Sequence, residues 1–249
     1  MNFAKHPLPV TFLFFLAFVF CIPAWAQTSR ADTANSYLAR GNSWLEKGDT
    51  TRAIADFDLA VASDPNSASA LFSRAEVRRT TKDFAGAIAD YSKAIKLNPD
   101  FAKAWCNRGL AFRNQGKLEK AIEDFTQAIQ LDPDGAAAYY YRGTVLSAKR
   151  QFEAAIADYD VAIRLKPNQA AMLNDRGVAQ HQVGKLTEAI ADYNEAIKLN
   201  SQMASAWLNR GIAYLEQGQH DAAKRDFEEC VRLDVGLKST VEQLLQAVR

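Results

Sequence analysis

The chain has 249 residues, of which 48% are hydrophobic and 24% are charged, and its formal net charge at pH 7 is +1. This composition is typical of a folded soluble protein and excludes an intrinsically disordered chain. Because acidic and basic residues nearly balance, overall charge favours neither nucleic acid nor an anionic membrane surface as a partner. We therefore expect no nucleic-acid partner.

The first predicted element is a secretory signal peptide in residues 1–26. Lys5 precedes an apolar run from Val10 to Ile22, and small residues follow it, which is the order found in signal peptides. The run is shorter than the roughly 20 residues that span a membrane. We predict cleavage after Ala26, a periplasmic or secreted location, a short linker at residues 27–33 and no membrane insertion of the mature chain. An uncleaved N-terminal anchor is the alternative.

From residue 34 the sequence repeats every 34 residues, with no insertion or deletion. A closing proline, two alanines and an aromatic residue recur at this step. They are Pro65, Pro99, Pro133 and Pro167; Ala53, Ala87, Ala121, Ala155, Ala189 and Ala223; Ala60, Ala94, Ala128, Ala162 and Ala196; and Phe57, Tyr91, Phe125, Tyr159, Tyr193 and Phe227. The register predicts six repeats in residues 34–237, namely 34–67, 68–101, 102–135, 136–169, 170–203 and 204–237.

Each repeat is predicted to form two amphipathic helices. In residues 102–135, apolar residues at helical spacing indicate a first helix from about Ala102 to Gln115 and a second from about Leu118 to Leu131. Gly116 permits the turn between them. A single hairpin of this kind cannot bury its apolar face, so the repeats must stack on one another. Residues 238–249 have apolar residues at helical spacing and are predicted to form a C-terminal capping helix.

The repeated pattern resembles that of the tetratricopeptide repeat (TPR) family. The matching residues in the third repeat are Trp105, Gly109, Phe112, Ala121, Phe125, Ala128 and Pro133. The resemblance implies an all-α fold, a right-handed α-solenoid of six helix-turn-helix repeats with a C-terminal capping helix. Arg78 and Gln180 depart from the pattern, because they replace the aromatic residue before the turn in repeats two and five.

An arginine in the first helix and an aspartate in the second recur in all six repeats. They are Arg40, Arg74, Arg108, Arg142, Arg176 and Arg210, and Asp56, Asp90, Asp124, Asp158, Asp192 and Asp226. One interpretation is a charged ladder lining a ligand groove. The other, which we favour, is a structural pair that ties helices together. Identity in every repeat suits a shared packing role, whereas ligand contacts usually differ between repeats.

In proteins similar to this chain, the first helices line a concave face that binds ligands. The resemblance therefore implies partner-binding residues on the first helices, and the candidates are Phe72, Arg79, Lys103, Asn107, Arg113, Tyr140, Tyr141, Asn174 and His181. Glu76, Cys106, Thr144 and Asp175 belong to the same predicted face. Aromatic and arginine side chains in a concavity suit binding of an extended peptide or a partner helix. Packing of the aromatic residues against adjacent helices is the alternative.

Some members of the family hold a peptide's terminal carboxylate with lysine and asparagine residues from three successive repeats. Asn42 and Lys103 stand at matching positions in this chain. Leu38, Ser73 and Asn107 replace the remaining clamp residues. The clamp is therefore incomplete, and we do not expect that specificity.

The sequence predicts no catalytic site, no metal site and no cofactor. The histidines of the repeats, His181 and His220, lie in different repeats, and no phosphate-binding glycine-rich loop is present. Cys106 and Cys230 are three repeats apart and are expected to be free thiols. The predicted function is that of an exported, non-enzymatic scaffold that binds a protein or peptide. The alternative is a structural or assembly subunit of a cell-envelope complex that acts by self-association.

Overall fold

The structure is a computed structural model, and it describes residues 24–246. Most of the predicted signal peptide and residues 247–249 lie outside this part. The described residues form thirteen α-helices and one short 3-10 turn, with no strand among them. The all-α prediction is therefore confirmed.

The helices form six consecutive hairpins. The first helices of the hairpins are α1 Ala24–Glu46, α3 Ala68–Thr80, α5 Ala102–Asn114, α7 Ala136–Ala148, α9 Ala170–Gln182 and α11 Ala204–Glu216. The second helices are α2 Thr50–Ser63, α4 Phe84–Leu97, α6 Leu118–Leu131, α8 Phe152–Leu165, α10 Leu186–Leu199 and α12 His220–Leu233. The 3-10 turn Val235–Leu237 leads into the last helix, α13 Lys238–Gln246.

Helix α1 is longer than the other first helices, because it continues through the predicted linker. Residues 27–33 are part of this helix. No glycine or proline occurs between residues 24 and 40, so nothing in this stretch of the sequence breaks the helix. The predicted cleavage point after Ala26 consequently falls in the first turn of a helix.

The hairpins stack into a helical solenoid. Each helix contacts its partner in the hairpin and the next helix along the chain, and each first helix also contacts the first helix of the next repeat. These additional contacts bring the first helices together on one side of the solenoid. We call that side, which the family resemblance implies is concave, the first-helix face.

A buried aromatic ring and a small residue hold each hairpin together. Phe125 and its equivalents are no more than 1% exposed. An added Cβ atom on Gly109 would lie 2.8 Å from Cε1 of Phe125, so the α5 backbone packs directly on the ring. This close approach explains why glycine or alanine occupies the position in every repeat.

The turn within each hairpin contains one residue with left-handed backbone geometry. Glycine takes this position in four repeats, as in Gly116 with φ of 73°. Lys82 and Arg150 take it in repeats two and four, with φ of 67° and 61°. A side chain at such a φ is strained by contact between its Cβ and the backbone. Repeats two and four therefore keep the geometry of the turn at a cost in stability.

The two ends of the array are closed in different ways. Ser36 of α1 is exposed where repeats two and three have the buried residues Ala70 and Ala104, so the first repeat has a polar residue at this position of its outer face. At the other end, Val241 of α13 packs against Phe227 and is 6% exposed. Terminal repeats of a solenoid need such covering because they lack a neighbour on one side.

Candidate partner-binding face

The recurring arginine and aspartate form a structural pair in all six repeats. Each arginine donates from Nε and Nη2 to the two carboxylate oxygens of the aspartate 16 residues later, at 2.6–2.8 Å. The aspartates are only 3–6% exposed. The interpretation of these residues as structural pairs is therefore confirmed. Both carboxylate oxygens accept hydrogen bonds from within the protein.

The same arginines also connect adjacent repeats. In repeats two to six, Nη1 donates to a side chain on the second helix of the preceding repeat, at 2.6–3.0 Å. The acceptors are Asp58, Ser92, Thr126, Asp160 and Asn194. One guanidinium thus joins three helices, which explains why arginine rather than lysine recurs.

The nine candidate residues all lie on α3, α5, α7 and α9, and the structure groups them into separate polar clusters. The first cluster is centred on Glu76. Its Oε1 atom accepts hydrogen bonds from the Tyr91 hydroxyl, from Nδ2 of Asn107 at 2.9 Å and from Nε of Arg79 at 3.5 Å. Asn107 is therefore engaged within the protein, and its amide links repeats two and three.

Phe72 lies beside this first cluster. Its ring centroid is 4.8 Å from that of Phe101 and 5.8 Å from that of Tyr91. The ring is half-buried. Phe72 thus packs against neighbouring helices on one side and leaves its other side accessible.

The second cluster surrounds the tyrosine pair of α7. The Arg113 guanidinium lies 5.5 Å from the ring centroid of Tyr141, and its Nη1 is 3.4 Å from Oγ1 of Thr144. The Tyr140 and Tyr141 rings are 5.3 Å apart and both are half-buried. The structure therefore brings Arg113, Tyr140 and Tyr141 together, as a shared binding surface requires.

The third cluster continues from the tyrosine pair into repeats five and six. The Tyr140 hydroxyl donates to Oδ2 of Asp175 at 2.8 Å, and Asn174 donates to the other oxygen at 3.3 Å. Asn209 in turn donates to Oδ1 of Asn174 at 3.0 Å. His181 is at the far end, where its Nε2 is 2.9 Å from a carboxylate oxygen of Glu216. It does not join the other candidates.

Two adjoining clefts lie at the amino-terminal ends of these first helices. Each has a volume of about 280 Å³, and they share the lining residues Ala137 and Lys166. Lys103 and Cys106 line one cleft, and the tyrosine pair lines the other. Lys103 is exposed and has no side-chain hydrogen bond or ion pair with any residue of the described part.

Lys166 is a lining residue that the sequence did not reveal. It follows the second helix α8, whereas the partner-binding residues predicted from the sequence all lie on first helices. The hairpin of repeat four places it beside Ala137, and stacking of repeats four and five places it beside Met172. Its signal in the sequence is a basic residue directly after a second helix.

Cys106 is unsuited to nucleophilic chemistry although it lines a cleft. Burial raises the pKa of its thiol to about 12, and Glu76 adds to the effect. Only the thiolate is reactive, so this thiol is inert near neutral pH. Both Cys106 and Cys230 are free thiols.

Residues 24–246 contain no cluster of histidine, cysteine, aspartate or glutamate suited to holding a metal ion. Within the same part of the chain, every helix is too short or too polar to cross a membrane. What this face offers is half-buried aromatic rings, amides and unpaired lysines along an open groove. Groups of this kind are typical of surfaces that bind proteins or peptides.

Stacked helical hairpins with an open face of this composition define a helical-repeat interaction scaffold. Three family models, described as tetratricopeptide repeat or TPR repeat, match the chain. The matched residues are 102–134 and 204–235 for the first model, 78–115 and 181–218 for the second, and 125–157 for the third. The chain belongs to the tetratricopeptide repeat family.

Solved structures of the same fold include MamA, PilF of Pseudomonas aeruginosa and YrrB. MamA is 27% identical with a TM-score of 0.61, and the match covers 66% of this chain and 96% of MamA. PilF is 23% identical with a TM-score of 0.77, over 89% of this chain and 100% of PilF. YrrB, described as a TPR protein with an unusual peptide-binding site, is 20% identical with a TM-score of 0.66, over 77% and 96%. A search of curated proteins gave no match.

Proposed function

We propose that this protein is an exported scaffold that binds a segment of a partner protein on its first-helix face, across the two adjoining clefts. The observation that carries the proposal is the continuity of the clefts from Lys103 to Tyr140 and Tyr141. A continuous groove over three repeats suits an extended peptide or a helix better than a small molecule. The peptide-binding site described for YrrB supports the choice of a peptide on this fold.

The groups in the groove suit such a segment. Tyr140 and Tyr141 offer large, half-buried rings, and the side chains of Ala137 and Met172 add apolar surface beside them. The exposed ammonium groups of Lys103 and Lys166 flank this apolar surface. Apolar anchors surrounded by polar groups are typical of binding hot spots.

Chemical crosslinking in the native compartment, followed by identification of the captured proteins, tests the proposal. The Tyr140→Ala/Tyr141→Ala double variant is expected to lose the partners that the unaltered protein captures. Lys103→Glu/Lys166→Glu is a second test variant, because both residues are exposed and their replacement leaves the core intact.

The matched control is Lys93→Glu/Lys96→Glu, which makes the same charge change on the second helix α4. Equal capture by the control and by both test variants would show that partners bind elsewhere. Light scattering of the purified protein provides a separate check. A defined oligomer, together with no captured partner, would support the self-associating subunit instead.

Export is tested at the N-terminus of the protein recovered from its native host. Mass spectrometry is expected to find Gln27 as the first residue. Recovery of a chain that still begins before residue 26 in a membrane fraction would support the retained anchor.

A further inference from the structure

Asp175 is a half-buried carboxylate on the first-helix face that lacks a basic partner. It accepts hydrogen bonds from two neutral groups, the Tyr140 hydroxyl and the Asn174 amide. Within residues 30–246 no lysine, arginine or histidine forms an ion pair with it. Burial raises its pKa, and the hydrogen bonds from Tyr140 and Asn174 offset this effect only in part.

The other half-buried carboxylate on the first helices of the described part does have a basic partner. Glu76 contacts Arg79 on the same face, whereas Glu216, which lies beside the imidazole of His181, is 52% exposed and so remains solvated. The six buried aspartates of the repeats each accept two hydrogen bonds from an arginine. A half-buried carboxylate without a cation lowers stability, since water no longer solvates it fully. The exception at Asp175 therefore needs an explanation.

A cleft opens directly beside this carboxylate. It has a volume of about 310 Å³, and its lining residues are Thr144, Ser147, Ala148, Tyr159, Asp175 and Val178. Volumes of this size lie at the lower end of those of ligand pockets, which begin at about 300 Å³. The lining combines the Ser147 hydroxyl and the Thr144 hydroxyl, which already donates to the Tyr141 carbonyl, with apolar surface from Ala148 and Val178.

We propose that this cleft takes a lysine or arginine side chain of the bound partner segment, and that Asp175 pairs with its charged group. The aliphatic stem of such a side chain would lie against Val178 and Ala148, while the Ser147 hydroxyl accepts one of its remaining N–H groups. This assignment rests on the function proposed above. It adds the chemistry of the partner: a basic residue next to the segment that covers the tyrosine pair.

Selection from a random peptide library, displayed without any assumed motif, tests the assignment. Peptides that bind the full protein are expected to share a lysine or arginine at one position. Selection with Asp175→Asn is expected to lose that preference. The matched control is Glu216→Gln, which neutralises a carboxylate on the same face that already contacts His181, and it should keep the preference.

Affinity measurements on one selected peptide make the test quantitative. Replacing its basic residue by norleucine should weaken binding at least tenfold to the unaltered protein and have little effect on binding to Asp175→Asn. An equal loss with both proteins, or selected peptides without a shared basic residue, would overturn the assignment while leaving the proposed function intact.

If the library gives no binder at all, a small probe distinguishes failure of the proposed function from failure of the Asp175 subsite. That outcome would contradict the proposed function. N-acetyl-arginine methylamide is then titrated against the carboxyl carbon resonance of Asp175, with the uncharged N-acetyl-citrulline methylamide as control. A saturable shift with the arginine compound alone is expected. Identical responses to the two compounds would disprove the subsite.

Discussion

Arg108 donates from Nε and Nη2 to the two carboxylate oxygens of Asp124, both at 2.8 Å, and from Nη1 to the hydroxyl of Ser92 at 3.0 Å. Asp124 is 3% exposed. A single side chain on α5 therefore holds α6 of its own repeat and α4 of the preceding one. The equivalent arginines make the same connection at each of the five junctions between repeats.

Arg108→Ala is expected to destabilise the protein by about 3 kcal/mol, because it leaves the buried Asp124 carboxylate without its partner. The free energy of unfolding in urea measures the loss. Arg40→Ala is the matched comparison and should lose less, since the Arg40 side chain is 56% exposed and donates to no preceding repeat. Equal losses for the two variants would contradict the role given to the connection between repeats.

Arg150→Gly is expected to stabilise the protein by about 0.5–1 kcal/mol. Arg150 has φ of 61°, a conformation that costs a residue with a side chain about 1–2 kcal/mol and glycine nothing. The higher backbone entropy of unfolded glycine cancels part of the gain. Thermal unfolding of Arg150→Gly, compared with Gly116→Ala at the same position of repeat three, checks the prediction. The two substitutions must change the melting temperature in opposite directions.

Lys117→Asp is expected to add about 1 kcal/mol of stability by capping α6. In repeats one and two, the side chains of Asp49 and Asp83 accept hydrogen bonds from the first turns of α2 and α4. Lys117 has nearly the same backbone angles as Asp83 and makes no such bond. Lys117→Ala removes the lysine without supplying a cap and serves as the control. A similar increase in stability in both variants would mean that loss of the lysine charge, and not the new cap, causes the effect.

The pH dependence of stability should reveal the uncompensated Asp175. Because burial raises its pKa in the folded protein, ionisation of Asp175 favours the unfolded chain. Relative to Asp175→Asn, the unaltered protein should be most stable below the ordinary carboxyl pKa of 3.8. It should lose that advantage as pH rises through the raised value.

Urea unfolding of the unaltered protein and of Asp175→Asn between pH 3 and pH 7 measures this difference. The neighbouring tyrosines do not titrate in this pH range. Burial raises the pKa values of Tyr140, Tyr159 and Tyr193 above that of free tyrosine. If the unaltered protein instead becomes more stable relative to Asp175→Asn as pH rises, a cation compensates Asp175 in the folded protein.

Much of the first-helix face could be derived from the sequence, but its internal contacts could not. The step of 34 residues placed Tyr140, Tyr141 and Arg113 on first helices, and the structure has them there in contact. The repeat pattern could not show that Asn107 donates to Glu76 or that His181 contacts Glu216, because these contacts join residues on different helices. Their geometry depends on the angle at which neighbouring repeats stack.

Departures from the repeat pattern behave in the same way. Arg78 replaces an aromatic residue, yet its Nη1 donates to Asp90 at 2.8 Å, much as Nε1 of Trp44 donates to Asp56. Gln180, the other departure, leaves its buried Oε1 atom without a hydrogen-bond partner in the described part. The two substitutions look alike in the sequence, and only their surroundings distinguish them.

The sequence by itself determined the helical hairpins, their number and the residues buried between them. These follow from the 3.6-residue periodicity of apolar side chains and from a period that repeats six times, both of which are local properties of the chain. Tertiary structure alone decided that Asn107 bonds to Glu76, that Lys166 lies beside Met172, and that Asp175 has no cation among the described residues. Those facts depend on distances between side chains of separate repeats, and no local pattern specifies them.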